Sequence, residues 1–442
     1  MTSRIIIPTF AIVLICVCVV CDAPAQTEDF SPKPDEAQLP KAMHSPMEEL
    51  PHVTVGMVEA DLVGTDNRVL QAAVDYIAAL GGGVVEIGEG EYTMRDSLHL
   101  RSHVTVRGVK GKTILRKADG TVSALALDGD FGEEQITVRD TGGFAVGCGV
   151  AVWDQNAGGF HTTVARITGG RGNTFSIDKP LMADCMVHNG AKAATVFPVV
   201  SAYHTEGVGI EDLVIDGNKD ANVHLNGCRG AGIFLYRAFG TTISGCTVRN
   251  YNGDGISFQQ SNDVTVTDCT SEDNASLGLH PGSGSQRPTI RDCTARRNGT
   301  DGLFLCWRVR HGVFENNLLE ENGQFGISIG HKDSDNLLRY NISRLNKSNG
   351  VFFRNESLGM APHRNRLEEN TIENNGGPEI RIRGEVNDLI FMGNTIRETR
   401  SAGQEIPTVG ILIEQTVGPV ILQDNTISTQ VRIEDKRTQA RR

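Results

Sequence analysis

The sequence predicts an all-β solenoid, because one short strand pattern returns at constant spacing along the second half of the chain. From about residue 230, a glycine is followed by an apolar, a variable and a second apolar residue, every 23 or 24 residues. A constant period indicates stacked coils, and the alternation of apolar residues indicates strands. The repeats begin at Gly232, Gly255, Gly278, Gly302, Gly326 and Gly350, and Gly410 continues them after longer turns.

Two columns of small residues follow the same period and support the stacking. Equivalent residues of parallel coils lie about 4.8 Å apart, so an Asn at each turn can hydrogen-bond to the coils above and below it. We expect the stacked Cys side chains to be buried packing thiols; a disulfide between neighbours is the alternative. The columns are Cys246, Cys269, Cys293, Asn317, Asn341, Asn370, Asn394 and Asn425, and Asn250, Asn274, Asn298, Asn322 and Asn346.

The first 25 residues have the features of an export signal. Arg4 precedes an apolar stretch from Ile5 to Val20, and Ala23-Pro24-Ala25 is a small-x-small cleavage site. The stretch is short for a bilayer span, so a membrane anchor is the weaker interpretation, and Cys21 raises a lipoprotein alternative. We predict a secreted, periplasmic or cell-surface protein without an integral membrane segment after signal cleavage.

Composition limits the class of protein further. The formal net charge of −12 opposes general nucleic-acid binding, although a local basic site for a polyanion remains compatible with it. Of the ten Cys, three lie in the predicted signal, and the remaining seven do not form a small disulfide framework. Fifty Gly with few aromatic residues favour turn-rich β structure.

The remaining segments follow in chain order. Asp66 to Leu80 has the periodicity of an amphipathic helix with a polar cap. Residues 129–205 break the repeat but keep strand-like patterns, and their Trp153, Asp154 and His161 favour local packing over an extended cleft. We divide the chain into an export signal at 1–25, a Pro-rich linker at 26–52, a cap helix with the first coils at 53–128, a β-rich insertion at 129–205, regular coils at 206–432 and a tail at 433–442.

Together these features resemble the pectin-lyase-like superfamily, whose members are single-stranded right-handed parallel β-helices. The resemblance covers roughly residues 60–430. It implies that the helix at 66–80 caps the open end of the stack, covering its apolar interior and its edge strand. One fold of this kind hosts many activities, so the site residues must indicate the function.

Two acidic residues stand directly before the repeat glycines and are our candidates for catalysis. Asp254 and Asp301 fall on one edge of the same sheet, two coils apart, with backbones roughly 9–10 Å apart. This lies near the carboxylate separation of inverting glycosidases, roughly 6.5–9.5 Å. His280 projects outward on the coil between them, and Pro281 opens the sheet there. Asp before Gly is also ordinary turn chemistry, so a structural role remains the alternative.

Cationic and aromatic residues of later coils are predicted to extend this face into a substrate groove. A Trp face suits the apolar side of a sugar ring, and Arg binds carboxylates through two hydrogen bonds. A surface salt bridge would explain any one of these residues alone, so the prediction rests on their clustering on one face. The predicted substrate-binding residues are Gln259, Trp307, Arg308, His331, Lys332, Arg354, Glu356, Arg381 and Arg383, with outward Ser328 between them.

One resemblance indicates hydrolysis. "NGDGI" at 252–256 and "TDGL" at 300–303 look like the Asn-Thr-Asp-Gly catalytic signature of polygalacturonase-type glycoside hydrolases. "FGISIG" at 325–330 and "IRIR" at 380–383 look like two further coils of that family. This resemblance implies that Asp301 or Asp254 is the acid or base, and that Arg381 and Arg383 bind substrate.

A second resemblance indicates proton abstraction. "LGLHPGSGS" followed by "DGLFLCWRVRHGVFENN" is similar to the Asp-Pro-His-Asp coil, and the coil after it, of β-helical mannuronan C5-epimerases and alginate lyases. In that chemistry a base removes the proton beside a carboxylate whose charge is neutralised. It implies His280 or His331 as the base, with Arg308, Lys332 or Arg354 as neutralising cations.

From the sequence we expect an exported polysaccharide-active enzyme, and we favour a glycoside hydrolase acting on an anionic polysaccharide. A lyase or C5-epimerase on a uronic-acid polymer, and a non-catalytic carbohydrate-binding solenoid, are the alternatives. No acidic cluster on consecutive coils stands out, so we predict no cofactor; calcium is the metal that oxygen ligands here would suit. The sugar, the linkage and the oligomeric state remain open.

Overall fold

The computed structural model describes residues 49–400 and 409–437. The predicted export signal and all but the last residues of the predicted linker lie outside these ranges. Every element reported below belongs to the compact unit that begins at Leu50. Across the described ranges, none of the helices has both the length and the apolar character needed to cross a membrane.

The N-terminal part forms a cap helix and the first coil. Helix α1 begins after Asp66, whose side chain accepts a hydrogen bond from the Arg68 N–H. It buries Leu70, Val74 and Ile77 in the main core, so the predicted capping helix is confirmed. The elements are β1 (His52–Gly56), β2 (Leu62–Val63), α1 (Asn67–Ala79), β3 (Gly83–Ile87), β4 (Gly90–Met94), β5 (Leu98–His99), β6 (Val104–Arg107) and β7 (Thr113–Lys117).

A separate antiparallel sheet, here called the insertion sheet, interrupts the coils after β7. It has its own core, which includes Val150, Ile167 and Phe175, so the predicted β insertion is confirmed. Its strands are β8 (Val122–Ala124), β9 (Gln135–Thr137), β10 (Gly149–Trp153), β11 (Thr163–Arg171), β12 (Thr174–Ile177) and β13 (Lys192–Ala194), in the order β8-β13-β10-β11-β12-β9. Short 3₁₀ helices lie at Gly159–His161, Val187–Asn189 and Lys219–Ala221.

The regular coils contribute three short strands each. The strands are β14 (Val200–Glu206), β15 (Gly209–Glu211), β16 (Val214–Asp216), β17 (Ala231–Phe239), β18 (Thr242–Ser244), β19 (Thr247–Arg249), β20 (Asp254–Gln259), β21 (Thr265–Thr267), β22 (Thr270–Glu272), β23 (Leu279–Gly282), β24 (Thr289–Arg291), β25 (Thr294–Arg296), β26 (Leu303–Phe304), β27 (Val313–Glu315), β28 (Leu318–Glu320), β29 (Ile327–Ile329), β30 (Leu337–Arg339), β31 (Ile342–Arg344), β32 (Val351–Phe353), β33 (Arg366–Glu368), β34 (Thr371–Glu373), β35 (Ile380–Ile382), β36 (Leu389–Met392), β37 (Thr395–Arg397), β38 (Val409–Ile413), β39 (Val420–Gln423), β40 (Thr426–Ser428) and β41 (Val431–Asp435).

These strands build three long parallel sheets, as the solenoid prediction requires. Sheet A has the order β2-β1-β3-β6-β15-β18-β21-β24-β27-β30-β33-β36-β39. Sheet B has the order β4-β7-β16-β19-β22-β25-β28-β31-β34-β37-β40. Sheet C has the order β5-β14-β17-β20-β23-β26-β29-β32-β35-β38-β41. Apolar residues of all three sheets meet in one continuous core along the stack.

Four predicted boundaries differ from the observed elements. β8, assigned to the first coils, pairs with β13 in the insertion sheet. Residues 200–205, assigned to the insertion, form most of β14, which belongs to sheet C and pairs with both β5 and β17. Its strand pattern alone did not distinguish it from the insertion strands before it. His52, the last residue of the predicted linker, begins β1, and β41 extends to Asp435 inside the predicted tail because it pairs with β38.

The predicted columns are hydrogen-bonded ladders. Asn341 Nδ2 donates to Asn370 Oδ1 at 2.9 Å and to the Phe314 carbonyl at 2.9 Å. The same pattern continues from coil to coil in the column of Asn317 and in the column that begins at Asn274. Asn250, predicted to head the second column, lies outside it: its neighbour Tyr251 is level with Asn274 and donates its N–H to Asn274 Oδ1, because the two coils are 23 residues apart there. Cys246, Cys269 and Cys293 are buried free thiols at the same turn. The stack therefore satisfies the backbone groups of its own bends.

The outward faces of the three sheets differ in character. Ion pairs between neighbouring strands cover sheets A and B, such as Arg339–Glu315 at 2.7 Å and Arg344–Glu320 at 2.8 Å. Exposed pairs of this kind add little to stability. The corresponding outward column of sheet C carries aromatic and neutral polar side chains together with a histidine and, at its end, an arginine. It reads Phe234, Ser257, His280, Phe304, Ser328, Phe352 and Arg381.

Candidate active site on sheet C

Sheet C brings the three residues predicted to be catalytic onto one face. Asp254 begins β20, His280 lies on β23, and Asp301 stands just before β26, two coils beyond Asp254. All three side chains are buried, with relative exposures of 2%, 3% and 3% respectively. The sequence predicted an open groove floor, whereas the structure places these groups beneath a cover.

Asp254 and His280 form a hydrogen-bonded pair. His280 Nδ1 lies 2.7 Å from Asp254 Oδ2, and the Leu277 N–H donates to Asp254 Oδ1 at 3.1 Å. His280 Nε2 is buried and has no hydrogen-bond partner among the described residues. A neutral imidazole that donates from Nδ1 to a carboxylate carries its lone pair on Nε2. The pair therefore presents a base at Nε2, pointing away from Asp254.

A backbone segment covers Asp254 itself. The Ser257 hydroxyl donates to the Gly227 carbonyl at 2.6 Å, and a Cβ at Gly227 would collide with the Asp254 carboxylate. The chain can approach so closely only because residue 227 is glycine. Asp254 is therefore enclosed, with its carboxylate in contact with His280. This corrects the prediction of an Asp254–Asp301 pair flanking an open space.

Asp301 is held in conditions that favour its protonated form. Burial, reinforced by the charge of Asp254, raises the pKa of Asp301 to about 7, against the opposing effects of the Phe325 N–H, Arg354 and Ser328. The Phe325 N–H donates to Asp301 Oδ1 at 3.2 Å. A carboxyl group with such a pKa can donate a proton near neutral pH.

Arg354 crosses the same face and is anchored at several points. Its terminal nitrogens donate to Ser328 Oγ at 2.8 Å, to the Leu305 carbonyl at 2.7 Å and to Asp333 Oδ2 at 3.1 Å. Its Nε is buried without a partner among the described residues. Its Cζ lies 4.4 Å from the Phe304 ring centroid, and Phe304 packs edge-on against His280 at 5.4 Å. The Phe304 ring thus separates the imidazole from the guanidinium.

A second group of predicted residues lies at the end of the same strands. Trp307, which is 37% exposed, stacks on His331 with ring centroids 4.9 Å apart and planes inclined by 5°. His331 Nε2 lies 3.2 Å from Glu356 Oε1, and Arg308 lies over the Trp307 ring. Burial, with a smaller effect from Arg354, lowers the pKa of His331, while Glu356 opposes the shift. The group presents one exposed aromatic face beside a cation.

The backbone at this bend is strained. Trp307 and Arg308 have φ values of 61° and 70°, and His331 and Lys332 on the next coil have 45° and 66°. These are the only consecutive non-glycine residues with positive φ within residues 49–400 and 409–437. Left-handed backbone costs energy for such side chains and concentrates at functional sites. The strain marks this turn as a binding candidate.

The remaining residues predicted to bind substrate are less available for contact with a ligand. Gln259 is buried beside the pair, where its Nε2 donates to Ser257 Oγ at 2.9 Å and its Oε1 has no partner among the described residues. Arg381 is paired with Glu414 at 2.8 Å, so its charge is already balanced. Arg383 lies on the coil of Arg381 in the column of Arg354, and Lys332 lies at the strained bend. Their roles stay predictions.

Two residues of this site were missed from the sequence. Asp333 is fully buried, accepts hydrogen bonds from the Val309 and Gly330 N–H groups, and holds Arg354. Burial raises the pKa of Asp333 to about 7. Gly227 lies in an irregular segment without the repeat pattern. Gly330 and Arg354 occupy one column of the stack. This register is the only sequence signal that could have indicated that Arg354 meets the segment containing Asp333.

Among the residues that the structure describes, no three His, Cys, Asp or Glu side chains are grouped so that they could hold a metal ion. The expectation of no cofactor stays a prediction. The chemistry available from the described side chains is that of a histidine base, a protonated carboxyl group and an anchored guanidinium.

Comparison with known proteins supports the fold. Residues 208–360 match the family model of the right-handed β-helix region. The structure is similar to the A-module of mannuronan C-5 epimerase AlgE4 of Azotobacter vinelandii, with a TM-score of 0.52, 17% identity, and coverage of 87% of this chain and 98% of that chain. It is similar to a polygalacturonase from Erwinia carotovora, with a TM-score of 0.55, 14% identity and coverage of 88% and 98%. The right-handed parallel β-helix is thereby confirmed.

Sequence relatives extend the comparison. The chain is 24% identical over 316 residues to mannuronan C5-epimerase AlgE5 of Azotobacter vinelandii, covering 68% of this chain and 22% of that protein. It is 24% identical over 272 residues to alginate lyase 7 of the same organism, covering 60% of this chain and 21% of that protein. The chain therefore spans about a fifth of the length of these curated relatives.

Proposed function

We propose that this right-handed parallel β-helix protein is an exported enzyme that removes the C5 proton of uronic-acid residues in a polysaccharide, as a lyase or a C5-epimerase does. The observation that carries the proposal is the orientation of His280. Its Nδ1 is held by Asp254 at 2.7 Å, while its buried Nε2 has no partner in the described part of the chain. Buried polar atoms without partners are rare in proteins, and a substrate C–H group would occupy this position.

The other groups of the site fit the same reaction. His280 Nε2 takes the C5 proton, and the electron pair left on C5 passes into the sugar carboxyl group, whose charge the Arg354 guanidinium stabilises. In elimination, that electron pair expels the oxygen on C4, which takes its proton from Asp301. In epimerisation, C5 is protonated again from the opposite face. A positioned base of this kind contributes about a hundred- to ten-thousandfold in rate.

Substrate access is part of the proposal. Phe304, which is half-buried, lies over His280, and the segment 223–230 covers Asp254 through Gly227. A sugar reaches Nε2 when the Phe304 side chain turns away or this segment opens. The exposed Trp307 and the strained turn beside it give the polymer a binding surface before that step. Covers of this kind open and close in many enzymes, and their movement can set the turnover rate.

Glycoside hydrolysis is the second candidate, and Asp301 is the observation that favours it. Its pKa of about 7 suits a general acid. An inverting hydrolase also needs a carboxylate that activates water, and Asp254 is enclosed by Gly227 and occupied by His280. The proton-abstraction mechanism uses both groups as they are placed, and we therefore favour it over our sequence-based preference for hydrolysis.

The decisive experiment measures three products from one incubation. The protein is mixed with polymannuronate and with neutral polysaccharides in D₂O, and unsaturated uronate, reducing ends and deuterium at C5 are recorded. Proton abstraction predicts deuterium at C5 if the enzyme epimerises, and unsaturated uronate, whose C4=C5 bond leaves no hydrogen on C5, if it eliminates. Reducing ends without either product would support hydrolysis. Binding without any product would support a non-catalytic carbohydrate-binding protein.

Export remains part of this proposal. The support is the sequence pattern of residues 1–25 and a polysaccharide substrate that lies outside cells. Cell fractionation of the full chain, with a variant lacking residues 1–25 as the control, tests it. Export predicts the parent protein outside the cytoplasm in a shortened form, and retention of both proteins inside the cell would contradict it.

A further inference from the structure

A cleft lies between the insertion sheet and sheet C, outside the site described above. Its volume is about 400 Å³, and it is lined by β11, by the loop after β12, and by β14 and β17. A second cavity of about 400 Å³ shares Thr162 with it and continues past Trp153 and His224. Together these cavities, here called the aromatic cleft, run along the border of the insertion sheet.

Aromatic rings form the floor of the cleft. The Tyr203 ring centroid lies 5.7 Å from that of Phe234 and 6.2 Å from that of Tyr236. Tyr203 and Tyr236 are half-buried, and neither hydroxyl makes a hydrogen bond within residues 49–400 and 409–437. An apolar ring surface with a free hydroxyl at its edge matches a sugar, which has an apolar face and polar rim.

Two cations, Lys179 and Arg229, line the cleft without an ion pair to any carboxylate of the described residues. Lys179 Nζ lies 4.0 Å from the Tyr203 ring centroid, and Arg229 Nε donates to the Phe160 carbonyl at 2.5 Å. Among the described residues, neither Lys179 nor Arg229 makes an ion pair, although ion pairs cover the arginines of sheets A and B. Burial lowers the pKa of Lys179, while the charges of Asp178 and Asp96 act to raise it and that of Arg166 to lower it. The cleft therefore offers two cationic side chains that no carboxylate in the described ranges holds in a direct ion pair.

The cleft is continuous with the site on sheet C. Phe234 is the register partner of Ser257, and Tyr236 is the register partner of Gln259, so one strand spacing of about 4.8 Å separates the two regions. Arg229 belongs to the same segment as Gly227, which covers Asp254. A polymer lying along sheet C would therefore cross both regions.

We propose that the aromatic cleft binds uronic-acid residues of an anionic polysaccharide, with Tyr203 and Tyr236 stacking on the sugars and Lys179 and Arg229 binding their carboxylates. The inference rests on the proposed function, which sets the direction of the polymer along sheet C. It extends the substrate contacts from one sugar at His280 to several consecutive sugars. The insertion sheet is then one wall of the binding site. Cations without internal partners bind carboxylates through charge-assisted hydrogen bonds.

The test measures binding of a defined oligomannuronate and of its carboxyl-reduced, neutral form. The chain has two Trp, and in Trp307→Phe the remaining Trp153, which lines the cleft, reports occupancy by its fluorescence. We expect oligomannuronate to change this fluorescence, and Tyr236→Ala and Lys179→Gln each to raise its Kd about tenfold. The neutral form should bind about tenfold more weakly than oligomannuronate and be insensitive to Lys179→Gln.

Matched controls separate the cleft from general effects on the surface. Tyr340→Ala removes an exposed tyrosine whose ring also has an arginine over it, and Lys110→Gln removes an exposed lysine near Asp212. Both should keep the parental Kd. Parental affinity in Tyr236→Ala and Lys179→Gln, or an unchanged Trp153 signal at saturating ligand, would overturn the proposal. Should Tyr236→Ala fail to fold, Lys179→Gln and the Trp153 signal decide.

The same measurements separate this inference from the proposed function. Binding that depends on Tyr236 and Lys179, in a protein that yields neither deuterium at C5 nor unsaturated uronate, would support the cleft and refute the proposed enzyme. Formation of either product that depends on His280, with parental affinity in the cleft variants, would support the enzyme and refute the cleft.

Discussion

His280 and Asp254 lie on neighbouring strands of sheet C with His280 Nδ1 2.7 Å from Asp254 Oδ2. The two residues are 26 positions apart in the chain, and the coil register alone brings them together. Because Asp254 is enclosed, its effect on a substrate passes through the imidazole. The orientation of the His280 ring thus depends on the stacking of two coils. Substitution of either His280 or Asp254 therefore tests the pair.

Asp254→Asn should reduce kcat about a hundred- to ten-thousandfold while leaving KM nearly unchanged. The amide cannot hold the proton on His280 Nδ1 as a carboxylate does, so Nε2 is no longer fixed as the base. Asp263→Asn, which changes an exposed aspartate paired with Arg287, is the matched control. Steady-state kinetics on polymannuronate measures both variants. Equal kcat in Asp254→Asn and the parent would remove this aspartate from the mechanism.

The raised pKa of Asp301 predicts that folding stability depends on pH. Burial raises the pKa of Asp301 from 3.8 to about 7, so the folded state binds its proton more tightly than the unfolded chain. Stability contributed by this group is therefore present below about pH 4 and lost as the pH rises to about 7. At about 1.4 kcal/mol per pKa unit, the loss is on the order of 4 kcal/mol.

Asp301→Asn should flatten this part of the stability profile, because an amide stays neutral throughout. Part of the slope should remain, since burial also raises the pKa of Asp333 and Glu379 to about 7. The control is Asp335→Asn: the Arg364 side chain lowers the pKa of Asp335, so that group gives stability at neutral pH and loses it in acid. Denaturant unfolding at several pH values measures all three proteins. A parental slope in Asp301→Asn would contradict the protonated carboxyl group.

Gly330→Ala tests the placement of Arg354. A Cβ at residue 330 would collide with Arg354 Nε, whereas a Cβ at Gly359 would meet nothing within 4 Å. We expect Gly330→Ala to lose about 1–3 kcal/mol of stability through overpacking, and to lower kcat/KM at least about tenfold. Gly359→Ala should change neither quantity appreciably. Thermal unfolding and kinetics together report the outcome, and a fully active Gly330→Ala would mean that Arg354 is not positioned for the reaction.

Asn341→Ala tests the ladder that supports the coils. Asn341 donates to Asn370 and Phe314 and accepts from Asn317, all within the buried turn. Removing it leaves buried groups unpaired, at about 1–3 kcal/mol for each, so we expect a loss of several kcal/mol in the free energy of unfolding. Cys269→Ala, in the same column, should cost about 1 kcal/mol. Equal losses in the two variants would contradict the ladder.

Much of the architecture could be predicted because the coil repeats. The column of glycines fixes which residues are vertical neighbours, and the Asn column shows where each coil bends. Asp254, His280 and Asp301 share a face for this reason. The cap helix could be predicted as well, since Asp66 and the apolar face beginning with Leu70 are local signals.

The cover of the site could not be predicted, because irregular segments form it. Gly227 lies in a stretch without a period, so nothing in the sequence places it over Asp254. The partner of Arg381, Glu414, follows a longer turn that breaks the register. The burial and the pKa values of the site residues could therefore be obtained only from the structure. They changed the assignment of Asp254 from an acid or base to a residue that orients His280.

The most direct measurement records deuterium at C5 and unsaturated uronate after polymannuronate is incubated in D₂O with the parent protein, His280→Ala and His52→Ala. His52 is an exposed histidine near Glu86 and serves as the matched control. We predict at least one of these products with the parent and with His52→Ala, and at least about a hundredfold slower formation with His280→Ala. Equal rates of product formation by His280→Ala and the parent would contradict a base at this position.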